Sequence, residues 1–177
     1  MISIHEEERP KLSSRPVLPA RSRTPFPVRN ILVAMDSKHD VPRAIEYGKR
    51  LARLCHSKLT LMSVYRVRYS FEWLHGLEAV KTAEQDMDQA LQHLESLKAQ
   101  VRRDFSKCDT YFRAGIPEDE ISWIVSALGI DLIVIGKYSR QSTQYHGDGI
   151  EAEIIRQRTG CPVIVVQEDG VSRGGTE

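Results

Sequence analysis

Asn30-Ile-Leu-Val-Ala-Met-Asp36 is an unbroken apolar run that ends in an acid. A strand with one wet face alternates polar and apolar residues. A strand apolar at every position is covered on both faces, as in a parallel sheet with helices above and below. Downstream, Val41, Ala44, Ile45, Leu51, Ala52 and Cys55 recur at helical spacing, and Pro42 stands near the start, where a missing N–H costs little. Lys58 to Val67 reads as a second strand. Strand, helix and strand in succession predict a parallel crossover.

The same rhythm continues outward. Residues Arg68 to Gly76, with Tyr69, Phe71, Trp73 and His75, interrupt it as either a loop over a site or a local hydrophobic plug. Ala83, Met87, Ala90, Leu94, Leu97, Val101 and Phe105 then repeat every three or four residues, which predicts one long amphipathic helix. Cys108 to Arg113 is a short strand closed by Gly115. Pro117-Glu-Asp-Glu120 opens a helix with proline first and acids in the first turn, and Gly129 supplies its C-cap. Asp131-Leu-Ile-Val-Ile-Gly136 is a buried strand, Lys137 to Asp148 a polar loop, Gly149 to Arg158 a helix, and Cys161-Pro-Val-Ile-Val-Val-Gln167 the last strand. The predicted fold is therefore α/β, with a five-stranded parallel sheet doubly wound into a three-layer sandwich.

The flanks differ. Residues 1–29 hold five of the eight prolines, an acidic triplet (Glu6, Glu7, Glu8) and six basic residues, with few large apolar side chains to offset the entropy of ordering. They read as a disordered tail, either solvated or a partner-binding arm. Residues 30–167 form the domain, and 168–177 a polar, frayed tail.

Composition excludes several roles. A net charge of +1 gives no global attraction to nucleic acid. No apolar run reaches the roughly 20 residues of a membrane helix, and no secretory segment is evident, so a cytoplasmic protein is expected. The three cysteines contain no C-x-x-C and read as small core residues in a reducing compartment. The six histidines form no H-x-x-x-H or C-x-x-H pair, so no metal site is expected. No nucleophile, base and oxyanion set is assembled by spacing, which argues against an enzyme, although slow ATP hydrolysis stays open.

In an open α/β sheet, ligands bind beyond the carboxyl ends of the strands where the strand order reverses. Placing the first and fourth strands side by side brings Asp36 and Gly136 across one crevice. Gly136 is expected to turn the chain sharply, with an unusual φ and close ligand approach. Asp36 either contacts a ligand or caps the following helix. The amides near Gly149 to Ala152 open a helix and favour an anion such as phosphate. Gly147-Asp-Gly149-Ile-Glu-Ala152 matches the dinucleotide pattern, but it follows a long loop rather than the first strand, so the match is treated as chance.

Asn30-Ile-Leu-Val-Ala-Met-Asp36, Gly115-Ile-Pro-Glu118, Asp131-Leu-Ile-Val-Ile-Gly136, Gly149-Ile-Glu-Ala-Glu-Ile-Ile155 and Cys161-Pro-Val-Ile-Val-Val166, in this order and spacing, resemble the universal stress protein family. The resemblance implies an adenine nucleotide alpha hydrolase-like fold, a homodimer paired through Val163 to Val166, and a stress-response binding and signalling role. It implies ATP, ADP or AMP as ligand. Ala34 and Val64 would line the base, Asp36 would contact the adenine or ribose, Ile135 and Gly136 would lie near the sugar, and Gly149 with the amides after it would hold phosphate.

ATP-binding members of that family carry Gly, two residues, Gly, nine residues, then Gly and Ser or Thr. Here the positions read Gly136, Ser139, Gly149 and Ile150. A side chain where a positive φ is needed costs roughly 1–2 kcal/mol, and loss of a hydroxyl donor to a charged group roughly 1.5–3 kcal/mol, together about two to three decades in affinity. Glu151 adds an unfavourable charge, while Lys137 and Arg140 are available as phosphate cations. The expectation is a nucleotide-type pocket with weak or absent ATP binding. A competent ATP- or AMP-binding protein, and an interaction protein working through residues 1–29, remain the alternatives.

Overall fold

In a computed structural model the described residues are 28–66, 76–138 and 150–168. They form β1 (Asn30–Asp36), α1 (Pro42–Cys55), β2 (Lys58–Arg66), α2 (Gly76–Arg102), β3 (Cys108–Gly115), α3 (Pro117–Leu128), β4 (Leu132–Tyr138), α4 (Ala152–Thr159) and β5 (Val163–Glu168). The five strands make one parallel sheet in the order β3-β2-β1-β4-β5. The expected fold class is what the chain adopts.

β1 shows why its residues are apolar throughout. Ile31, Val33 and Met35 enter a core shared with Val41, Ala44 and Ile45 around α1 and with Leu94 and Val101 of α2. Leu32 and Ala34 enter the opposite core, with Ile121 and Ile124 of α3 and Ile155 of α4. Residues two apart share a face, so one seven-residue strand feeds both layers. Burying a side chain of this size is worth about 1.5–3 kcal/mol, so each apolar position of β1 contributes to both layers.

At the amino ends of the strands, one carboxylate pins the two central strands. Asp131 Oδ2, just ahead of β4, accepts the amides of Arg29 (2.9 Å) and Asn30 (3.0 Å), and the Asn30 side-chain amide donates to Gly129 O at 3.2 Å. Gly129 and Gly160 end α3 and α4 in the left-handed conformation, whereas α1 ends on His56 at φ 55°.

The structure corrects three expectations. The chain does not turn at Gly136: β4 continues through Tyr138, because Lys137 and Tyr138 still pair with Gln167 and Glu168 of β5. Glu168 is no part of a frayed tail; it closes β5 and is buried. Cys108 and Cys161 are core residues as expected, but Cys55 is exposed at the end of α1. Burial pushes the Cys108 thiol up to about 11, which leaves it protonated and inert.

No helix among the described residues is long and apolar enough to cross a membrane.

Candidate functional site

The carboxyl ends of β1, β2 and β4 meet where the strand order turns back on itself. Ala34 pairs with Ile135 across β1 and β4, and Asp36 pairs with Val64 across β1 and β2. Ala34, Val64 and Ile135 are buried in the α3/α4 core and form a continuous apolar floor. Asp36 follows Ala34 by two residues, so it leaves the strand on the same side, above that floor. Lys137 follows Ile135 in the same way and is exposed.

Asp36 closes its own turn. Its Oδ1 accepts the Lys38 amide at 2.7 Å and lies 3.6 Å from His39 Nδ1. It does not cap α1, whose N-cap is Val41 with no side-chain cap bond. The next carboxylate, Asp40, lies 2.7 Å from His93 Nε2 of α2.

Gly136 leaves β4 on the opposite face from Ile135. A side-chain carbon there would meet Val41 at 2.5 Å and Glu168 Oε1 at 3.0 Å. The glycine thus makes room for protein groups on the α1 side, and its φ is not in the left-handed region. Asp36 and Gly136 lie on adjacent strands but present opposite faces.

Of three buried glutamates at helix starts, Glu118, Glu120 and Glu168, two hold backbone amides. Glu168, 2% exposed, accepts the Ala44 amide at 2.8 Å and the Arg43 amide at 3.1 Å, capping α1 from the far edge of the sheet. Glu118, 6% exposed in the first turn of α3, accepts the amide of Glu151, the N-cap of α4, at 3.3 Å, and lies 3.7 Å from Arg66 Nη2 at the end of β2. Ile150 packs on the α3/α4 core and Glu151 is exposed. Of the expected site residues, Ala34, Asp36, Val64 and Ile135 come together, Ile150 and Glu151 lie at the start of α4, and Gly136 faces away. Ser139, Arg140 and Gly149 lie outside the described residues.

Sequence reading missed Arg66, Glu118 and Glu168. Arg66 carries on the Met62, Val64 alternation of β2, and this was the available signal for its side. Glu118 was legible only as a helix-favouring acid, and Glu168 only as part of a polar tail.

A cavity of about 290 Å³ opens at the other end of the sheet, beside Arg53, Asp104 and Lys107. Asp104 is already held there by Arg53 (2.6 Å) and Lys49 (3.1 Å), and the carboxyl ends of α1 and α2 converge nearby, which disfavours an anion. No group of three or more metal-ligating side chains occurs among the described residues.

No curated protein matches the chain in sequence. Among solved structures, the universal stress protein UspA from Lactobacillus plantarum shares the fold at a TM-score of 0.62 and 20% identity, covering 80% of this chain and 99% of that one. A universal stress protein in complex with cAMP aligns at 0.56 and 14% identity, over 80% and 98% of the two chains. A universal stress protein family member from Arabidopsis thaliana with AMP bound aligns at 0.54 and 20%, over 78% and 91%. At these identities the likeness speaks for the fold. The sequence profile of the universal stress protein family matches residues 27–167, and the chain belongs to that family.

Proposed function

We propose that the chain is a universal-stress-type binding and signalling module, not an enzyme, whose ligand is an adenosine-sized molecule at the carboxyl ends of β1, β2 and β4. The observation that carries this reading is the apolar floor of Ala34, Val64 and Ile135 with the Asp36 carboxylate at its rim. With Ala34 and Val64 wholly buried and Ile135 2% exposed, this floor offers a base an apolar boundary free of polar groups rather than surface to cover. One Asp36 oxygen holds the Lys38 amide. The other has no hydrogen bond among the described residues and is the acceptor for a ribose hydroxyl or an adenine amine.

ATP is held weakly or not at all in this reading. The changed positions Ser139 and Ile150 remove loop chemistry, and Glu118 already takes the N-cap amide of α4. AMP suffers less, because fewer phosphates depend on that end of the crevice. Two fold relatives were solved with cAMP and with AMP, both monophosphates, which supports the same preference. Lys137, exposed on the Ile135 side, favours the second reading, competent ATP binding with Lys137 and Arg140 as the phosphate cations. The unit is a cytoplasmic homodimer paired through β5, an edge strand whose Val165 is exposed.

Calorimetric titration of the full chain with ATP, ADP, AMP and adenosine tests the proposal. Adenosine and AMP are expected to bind, with ATP no tighter than AMP. Stoichiometric ATP retained through desalting overturns the weak-ATP part. Absence of any adenosine binding overturns the pocket.

A further inference from the structure

The triplet Glu118-Asp119-Glu120 opens α3, and each acid meets an arginine from a different element. Glu120 bonds to Arg113 of β3 at 2.9 Å, and that guanidinium also lies over the Trp123 ring, 4.7 Å from its centroid. Asp119 bonds to Arg158 of α4. Both pairs clamp α3 to its neighbours. Glu118 differs. It is nearly fully buried, its arginine stands off at 3.7 Å, and its closer partner is the backbone amide at the start of α4.

This geometry gives Glu118 a different job. A guanidinium and a helix-start amide converging on one point make an anion position. Here the protein's own carboxylate fills it, on the same side of the sheet as Ala34, Val64 and Ile135. A ligand phosphate arriving there meets a buried negative charge in place of donors. It either stays clear or must displace a carboxylate that has lost access to water.

We propose that Glu118 is a specificity-determining residue: an internal anion between Arg66 and the start of α4 that selects against phosphate-rich ligands. The inference deepens the adenosine reading and rests on it for the identity of the ligand, but the anion position itself is testable alone. Glu118→Gln keeps the size and one acceptor oxygen for the Glu151 amide while removing the charge. Glu118→Ala removes the carboxyl entirely and serves as a second variant if the amide disturbs folding.

Two measurements are made on the full-length chain. In the first, pyrophosphate alone is titrated while the Glu151 amide is followed by nuclear magnetic resonance. Wild type is expected to show no saturable shift and both variants a saturable one. In the second, affinities for adenosine and ATP are compared by calorimetry. The ATP-to-adenosine affinity ratio is expected to rise at least about tenfold in the variants, the effect of removing one close like charge. Adding Arg66→Met to Glu118→Gln is expected to abolish the gain. Variants that remain blind to pyrophosphate, or a ratio unchanged where adenosine binds, overturn the role of Glu118. A pyrophosphate response without any adenosine binding supports Glu118 and overturns only the adenosine reading.

Discussion

The carboxylate of Glu168 stands 3.0 Å from where a side-chain carbon on Gly136 would begin. That single approach joins β4, β5 and α1, because the same carboxylate accepts the first free amides of α1. Gly136 is the gap that lets it reach them, with Val41 closing the gap from above.

Gly136→Ala is therefore a packing lesion. The added carbon collides with Val41, whose branched side chain cannot swing aside without disturbing the α1 start. The expected loss is about 1–3 kcal/mol of unfolding free energy, read by urea denaturation. A change under about 0.5 kcal/mol, the size of an ordinary surface substitution, contradicts the close contact.

Glu168→Ala leaves α1 without its cap and Val41 without a substitute. A loss of about 1–2 kcal/mol is expected, with Glu168→Gln recovering part of it because an amide oxygen still accepts. Equal stability of both variants and wild type, measured in the same denaturation series, rules out the capping role.

Asp36→Ala tests the ligand without touching the floor. Loss of a charged acceptor is expected to weaken adenosine binding by about 1.5–3 kcal/mol, roughly one to two decades in Kd. Calorimetry checks it. An unchanged Kd moves the ligand away from β1.

Val165→Lys places a charge on the exposed edge strand β5. Edge lysines block strand pairing between chains. Under the proposed pairing through β5, sedimentation is expected to shift from dimer to monomer, while thermal unfolding of the subunit stays close to wild type.

Acid should weaken the fold in a defined direction. The Arg156 guanidinium first, then Gln157, holds the Glu153 carboxyl down to about 2. Arg53 and then Lys49 lower Asp104, and Lys58 lowers Asp109. A carboxyl with a depressed folded pKa contributes stability that is whole above its unfolded value and is lost as pH falls through the folded one. The Glu153 share, small because the pair is exposed and screened by water, fades between 4.5 and about 2. The urea midpoint is expected to drop over that interval, and Glu153→Gln to make the drop shallower. A midpoint that rises on acidification reverses the assignment.

The order of strands and helices was legible because the apolar period of each segment reports how many of its faces are covered. β1 reads as doubly buried from Ile31 to Met35 with no other information. Asp36 was legible as the residue leaving that strand at the crevice. What stayed hidden were relations between distant residues. Nothing local distinguishes Glu118 from Asp119, yet one reaches α4's N-cap amide and the other its Arg158. Gly136 was legible as a special position, but the reason lay in Glu168, 32 residues on. Its φ is ordinary, so the backbone-freedom argument had no purchase there.

Glu168 also sets a timetable. The carboxylate that completes α1 belongs to the last residue of β5, 124 positions after the amide it accepts. During synthesis from the amino end, the first helix emerges long before its stopper does. Any product cut short ahead of residue 168 carries α1 with an open end, and a protease that removes this glutamate loosens a segment more than a hundred residues upstream.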